Sequence, residues 1–498
     1  MSAERPHVLM VVPNEIEHDN RVRKEALAAH AAGYRVTMLY VKVGGGREPV
    51  RGEFSGVETI GVRLRYRLKN RRQVRSAALA GWLPLWRYWT VDTLDDAAQA
   101  VEAREARAPT RGGYAMALAK LARAVFRFRA HFFRSHRRRQ LKRPAPRSAN
   151  WRRYLNEVAD MDAVVTPWIL RLKPDLIHIN DVYVLSAAVN AQAVLAKRGQ
   201  PVPMVYDAHE YVAEYPRWSV KAQAAYIALE RDLAPKFDAV VTVSEPIADA
   251  MEEDLRLPRR PVVVHNAPDP EAAEPCPNDS IREAAGVGPG VPLIVYSGVI
   301  QHQRNVPGVI KALPLLPEVH LAVICVPSTS VPLAVALREV AHSLGVADRV
   351  HLVEPVAPTQ IASFMSSADV GVDPMDRNWG QHAVCLPNKL FDYLHAGLAV
   401  AVSNNECERA FVAADNLGTI FDPGSTEEIA AAIRQALERR DEFVASARAA
   451  GVVERYAWKA QVARLIRLYQ ELLPADQPTN SEEPGGLLNS GKREDLRT

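Results

Sequence analysis

The chain has 498 residues, 48% of them hydrophobic and 24% charged, with a net charge of only +4. That length exceeds one ordinary core and predicts two domains, and the near-neutral balance excludes a polycation whose whole surface grips nucleic acid. The four cysteines, Cys276, Cys325, Cys385 and Cys407, form no CxxC and no Cys/His cluster, which argues against a zinc or disulfide framework and for a reducing compartment.

The opening "MSAERPHVLMVVP" passes from a polar start into a short strand without a signal-peptide profile. No apolar run approaches the ~20 residues of a membrane-spanning helix, so a cytoplasmic chain is expected. Strands are predicted at 7–13, 34–41, 175–179, 203–207, 239–244 and 261–265. A second series follows at 292–298, 320–326, 349–353, 370–374 and 398–404. These runs lack alternation and are separated by helical patterns, as in parallel α/β sheets buried on both faces. The Pro-, Gly- and Ala-rich stretch 266–292 marks the boundary between two facing Rossmann-like domains, taken as 1–280 and 286–453. A helix over 454–473 and a polar, disordered tail over 474–498 complete the predicted organisation.

Residues from about 68 to 156 break the α/β rhythm. No acidic residue lies between Glu105 and Glu157, and "YAMALAKLARAVFRFRAHFFRSHRRR" (114–139) places Leu118, Leu121, Val125, Phe128 and Phe132 on one helical face opposite Lys120, Arg123, Arg127, Arg134 and Arg138. This basic insertion either packs on the first domain with its cations solvated or docks residues 114–143 on an anionic membrane surface. Such docking would make the chain peripheral on the inner face of the cell membrane. No recognised nucleic-acid motif accompanies the charge, and no nucleic-acid partner is expected.

Ligands of such sheets bind beyond the carboxyl ends of the strands. There, "CLPNKLFDYLHAGLAVAVSN" (385–404) sets Lys389 and Asp392 at a helix start behind Pro387 and Asn388, with Asn388 the expected N-cap. A helix N-terminus with Lys389 suits a phosphate, and Asp392 suits the vicinal diol of a ribose. The other reading is a local Lys–Asp ion pair worth little. "YSGVIQHQRN" (296–305) adds Gly298 for a sharp turn and Arg304 for a diphosphate. "YDAHEY" (206–211) puts His209, followed by Glu210, at a strand tip facing the same cleft.

In order along the chain, "DNRVRKEALAAHAAGYRVTMLY", "YDAHE", "VVTVSEPIADAM", "VVVHNAPD", "LPNKLFDYLHAGLAVAVS", "FDPGSTEEIAAAI" and "YAWKAQVARLIRLY" resemble the retaining, nucleotide-sugar-dependent glycosyltransferases of family four, in the branch with Asp-x-Arg-Val and Pro-x-Lys. The resemblance covers roughly 5–67 and 160–473. It implies a GT-B fold of two Rossmann-like domains with a C-terminal crossing helix. It also implies transfer from a nucleotide sugar to a glycan or lipid-linked acceptor, without a metal or other cofactor.

Carried over by position, the resemblance implies nucleotide-sugar binding by Gly298, Arg304, Asn388, Lys389 and Asp392, with His382 reading the donor sugar beside Trp379 and Asn378. His209, Arg304 and Lys389 would be catalytic, and Asp19, Arg21 and Glu210 would lie on the acceptor side. The sequence departs from the family in two places: Val299 stands where an Arg is usual, and Val384 where the first of two glutamates is usual. Both leave the donor sugar open. They also keep two alternatives in view: a nucleotide-sugar epimerase, and a non-catalytic membrane-associated scaffold.

Overall fold

A computed structural model of the protein describes residues 5–16, 19–43, 48–64, 151–214, 220–270, 280–376 and 386–473. Two sheets organise these residues. Strand β1 (His7–Val12) is buried at all six positions, as a strand covered on both faces must be. It lies mid-sheet in the order β3-β4-β2-β1-β5-β6-β7-β8, with β2 (Arg35–Val43), β3 (Val50–Phe54), β4 (Val57–Leu64), β5 (Leu176–Asn180), β6 (Met204–Ala208), β7 (Ala239–Thr242) and β8 (Val262–Val263). Only β3 runs antiparallel, pairing with β4.

The second sheet is wholly parallel, in the order β11-β10-β9-β12-β13-β14. Its strands are β9 (Leu293–Val299), β10 (His320–Val326), β11 (Val350–Val353), β12 (Val370–Asp373), β13 (Ala399–Ser403) and β14 (Gly418–Phe421). Strand order reverses at β1/β5 in one sheet and at β9/β12 in the other. Crevices for ligands open at such points.

Strands β3, β4 and β14 were not expected from the sequence. The first two form a hairpin whose outer strand reads "VRGEF" and is largely exposed, so no apolar run announces it. The four-residue β14 is half-buried and too short to show a period.

The last helix crosses back. In it, Trp458, Gln461, Leu465, Leu468 and Tyr469 fall on one face, and the apolar members pack with Val8, Met10, Val22 and Val36 in the core of the first sheet. The amphipathic segment 114–139, most of the basic insertion and the tail 474–498 lie outside the described residues. No described helix is long and apolar enough to cross a membrane.

Candidate functional site

On the second domain, β9 turns at Gly298, whose φ of +140° would strain any side chain by about 1–2 kcal/mol. A short 3₁₀ turn, His302–Arg304, follows. This loop is pinned: the Asp376 N–H donates to the Gln303 carbonyl at 2.9 Å, and Asn305 Nδ2 donates to the Pro423 carbonyl at 2.8 Å. Arg304 is half-buried, with Nη1 2.9 Å from Met375 Sδ, and among the described residues no carboxylate pairs with it.

Next to the Gly298 turn is helix α5 (Asn388–His395), counted after α1 (Asn20–Ala31), α2 (Asn156–Leu172), α3 (Leu185–Lys197) and α4 (Val306–Ala312). Two expectations are corrected here. Asn388 is not the N-cap: Pro387 holds that position, caps nothing with its side chain, and leaves Asn388 exposed as the first helical residue. The Leu390 N–H donates back to the Pro387 carbonyl at 3.0 Å, which leaves the N–H groups of Asn388 and Lys389 without a side-chain cap among the described residues.

Lys389 does not reach outward to a phosphate, nor does it pair with Asp392. It turns into the core, where Nζ donates to Asp373 Oδ1 at 3.0 Å and lies 4.4 Å from the centre of the Tyr296 ring. The physical reason is a second buried acid. Burial, then Asp373, pushes Glu408 on α6 (Glu406–Ala414) well above the usual carboxylate range, so the ammonium is held by this acidic pair. Its Cε would lie 3.7 Å from a Cβ at Gly298, so Lys389 supports the loop from below.

Asp392 is largely withdrawn from water, and burial raises it to about 7, opposed by the charge of Lys24. A desolvated carboxylate at the edge of a cleft suits a buried diol. His382 lies outside the described residues, as do Asn378, Trp379 and Val384.

On the first domain, His209 follows β6 and is 14% exposed in its side chain. Its Nε2 donates to Asp207 Oδ2 at 3.0 Å, and its Nδ1 is 3.9 Å from Asp181 Oδ1. Although burial opposes it, the Asp207 carboxylate, with Asp181 behind it, raises His209 to about 10. The ring is an imidazolium at neutral pH. Glu210 is exposed beside it, and its charge helps raise Asp181.

Asp19 caps α1, accepting from the Val22 N–H at 3.2 Å. Arg21, expected on the acceptor side, is instead 4% exposed. It donates to both oxygens of Asp207 at 3.0–3.2 Å and to the Val264 carbonyl at 2.7 Å, and Nε lies 3.0 Å from Glu25 Oε1. A bidentate guanidinium–carboxylate pair inside the sheet fixes both partners.

Glu25, Asp207 and His209 present ligand atoms within 4.8 Å of one another, spacing that a metal ion could use. Arg21 already bonds both Asp207 oxygens and pairs with Glu25 Oε1, however, and His209 donates from Nε2 to Asp207, so internal cations already serve much of this donor set.

Sequence reasoning passed over Asp181. It follows β5 at the switch point, with φ +66° and ψ +158°, a region nearly reserved for glycine. Burial raises its carboxyl to about 6. Position at a predicted strand's carboxyl end was the signal that could have found it. Asp181→Gly should relieve the strain and stabilise the fold by about 1 kcal/mol while lowering transfer. Denaturant melts with parallel rate assays check both halves.

Residues 277–451 match the family described as "Glycosyl transferases group 1", and residues 144–267 match "Glycosyl transferase 4-like domain". A D-inositol 3-phosphate glycosyltransferase of Xylanimonas cellulosilytica is 28% identical over 40% of this chain and 48% of its own. One from Thermobispora bispora is 26% identical over 43% and 51%. The chain thus spans about half the length of the curated relatives it matches. Among solved structures, sucrose-phosphate synthase of Thermosynechococcus elongatus superposes with a TM-score of 0.57 at 16% identity, covering 94% of this chain and 99% of that one. Anabaena HepE in complex with UDP gives 0.56 at 13%, covering 94% and 100%. At such identities the likeness is one of fold. The 4-like match thus falls on the first sheet's domain and the group 1 match on the second's, and with the structural neighbours they give the chain the GT-B arrangement of two Rossmann-like domains.

Proposed function

We propose that the chain is a retaining transferase that moves a sugar from a nucleoside-diphosphate donor to a hydroxyl of a glycan or lipid-linked acceptor, with no metal required. Three features of the second domain support this reading: Arg304, with no carboxylate partner among the described residues, the start of α5 without a side-chain cap, and the largely buried Asp392. A cation, free N–H groups and a diol acceptor in one place describe a ribose diphosphate. That Anabaena HepE was solved with UDP supports the choice.

In this reading Arg304 and the α5 N–H groups hold the diphosphate, and the His209 imidazolium approaches from the first domain. The bond from the sugar's anomeric carbon to the diphosphate oxygen breaks as the acceptor oxygen bonds to the same face. The acceptor proton passes to the departing phosphate oxygen, so no protein base is needed. Asp181, Asp19 and Glu210 line the acceptor side. A lipid-linked acceptor at a cytoplasmic membrane surface, in envelope or surface polysaccharide assembly, is the fitting role for the basic segment 114–143.

A panel of UDP-, GDP-, TDP- and ADP-sugars, followed by thermal shift and product release with and without chelator, tests the reading. One nucleotide class should stabilise wild type, and Asp392→Asn markedly less. No stabilisation by any of them at millimolar concentration would overturn it.

A pH dependence follows. Asp392 must be ionised to accept from a diol and is half-protonated near 7, so nucleoside-diphosphate affinity should fall about tenfold between pH 8 and pH 6. In Asp392→Asn the same titration isolates the phosphate's own protonation, and the curve should be flatter by that factor.

A further inference from the structure

His178, on β5, is buried beside two carboxylates that it does not bond. Its Nε2 lies 3.8 Å from Asp207 Oδ2 and 3.9 Å from Glu25 Oε2, and has no hydrogen-bond partner among the described residues. A bond left unmade beside a buried anion needs a cause. The opposite ring nitrogen supplies one: Nδ1 is hydrogen-bonded to the hydroxyl of Tyr469, on the last helix (Trp458–Leu472). Tyr469 is itself fully buried and packs edge-on against Tyr34, with ring centres 5.8 Å apart, so it holds the imidazole by one end.

The hydrogen on this ring can be placed. Burial lowers His178 below its ordinary value, so the ring is neutral and carries one N–H. The Tyr469 hydroxyl has no second partner among the described residues, so its O–H donates to Nδ1 and the ring hydrogen sits on Nε2. The ring is thus a donor held about 1 Å beyond hydrogen-bond reach of a carboxylate.

Asp207 Oδ2 has little room for it. That oxygen already accepts from Arg21 Nε at 3.2 Å, Arg21 Nη2 at 3.0 Å and His209 Nε2 at 3.0 Å. Arg21 is fastened elsewhere as well, to Asp207 Oδ1, the Val264 carbonyl and Glu25. The other nitrogen of His209 is 3.9 Å from Asp181 Oδ1, which leaves Asp207 Oδ2 as its close carboxylate contact. A further donor at Oδ2 would therefore displace His209 rather than Arg21.

We propose that Tyr469 is a positioning residue for His209: by holding His178 back, it reserves Asp207 Oδ2 for the imidazole at the strand tip. Its consequence for transfer rests on the reading of His209 as a donor-facing group. Its consequence for the His209–Asp207 contact does not.

NMR of the full chain with isotope-labelled histidine, paired with rate assays, is the test. In wild type His178 should carry its proton on Nε2 and none on Nδ1. In Tyr469→Phe that proton should move downfield as it bonds the carboxylate, and the His209 midpoint should fall from about 10 by about one pH unit. Transfer at pH 7.5 should drop about tenfold in kcat with little change in KM. Leu465→Ala, which opens a hole in the apolar face of the same helix, should lower the melting temperature yet leave the His209 midpoint in place. In His178→Leu the competing donor is gone, and adding Tyr469→Phe should move His209 no further. A wild-type His178 protonated on Nδ1, or an unmoved His209 midpoint in Tyr469→Phe, would overturn the inference. A lowered midpoint with unchanged transfer would uphold the role of Tyr469 toward His209 and overturn instead the placement of His209 at the donor.

Discussion

Arg304→Ala should slow sugar transfer by about 10²–10³-fold, some 2.7–4 kcal/mol of transition-state stabilisation, with little change in thermal stability. In the proposed reaction negative charge grows on the departing diphosphate as the anomeric bond breaks, and a fixed cation placed there needs no reorganisation. Lys389 is the obvious substitute, yet its ammonium is committed to Asp373 beneath Gly298. Among the described residues, removing Arg304 thus leaves the α5 N–H groups and the His209 imidazolium to serve the proposed diphosphate site. The native contact of Arg304 is a thioether, Met375 Sδ, so truncation strands no buried carboxylate and the fold loses little. Because the effect belongs to the leaving group, kcat should fall more than KM rises. Arg304→Lys should recover only part of the rate, since a point charge cannot span two phosphate oxygens. A loss below about fivefold would mean that the diphosphate lies elsewhere.

How much of this was legible depended on where each determinant acts. The buried strands announced themselves as unbroken apolar runs, and strand ends then pointed to Gly298, Arg304 and His209 without any contact being known. The donor helix was found by its sequence, but its side-chain directions were not. Whether Lys389 points to ligand or core depends on Asp373 and Glu408, which lie 16 residues before it and 19 after it, and only packing brings these acids to one place. Arg21 shows the same limit. In "DNRVRKEAL" it reads as a loop or surface cation, yet its partner Asp207 is 186 residues away on β6. Strand β3 was invisible because an exposed edge needs no hydrophobic period, and the largely buried β4 because Glu58, Gly61 and Arg63 break its apolar run. Charges spent inside a sheet look like charges on a surface until the strands are in register.

Asp207→Asn should carry the largest combined cost, because one carboxylate serves the fold and the site together. Its oxygens take the bidentate Arg21 and the ring of His209, and Oδ2 lies 3.8 Å from His178 Nε2. Leaving Arg21 buried without it should destabilise the protein, and unpaired buried charges typically cost about 3–5 kcal/mol. The realised loss should sit at or below the low end of that range, because Glu25 relieves it. Burial and the Asp207 charge hold Glu25 up near 8, so with Asp207 neutral it ionises more readily beside the Arg21 guanidinium. Glu25→Gln added to Asp207→Asn removes that relief, and the pair should cost more than the sum of the two singles.

The effect at the site is separable from stability. With Asp207 neutral, burial drives His209 down from about 10 toward or below its ordinary 6.5, and the cation proposed to face the donor is lost at neutral pH. Wild type holds a proton on His209 that the unfolded chain lacks between pH 6.5 and 10, so its stability falls relative to the variant's as pH rises through that window. Transfer at pH 7.5 should drop about a hundredfold and recover in part as pH is lowered. NMR titration of the imidazole, paired with denaturant melts, separates the two consequences. A His209 that still titrates above 9 in Asp207→Asn would show that Asp181 holds the proton, and would transfer the positioning role to that strained residue.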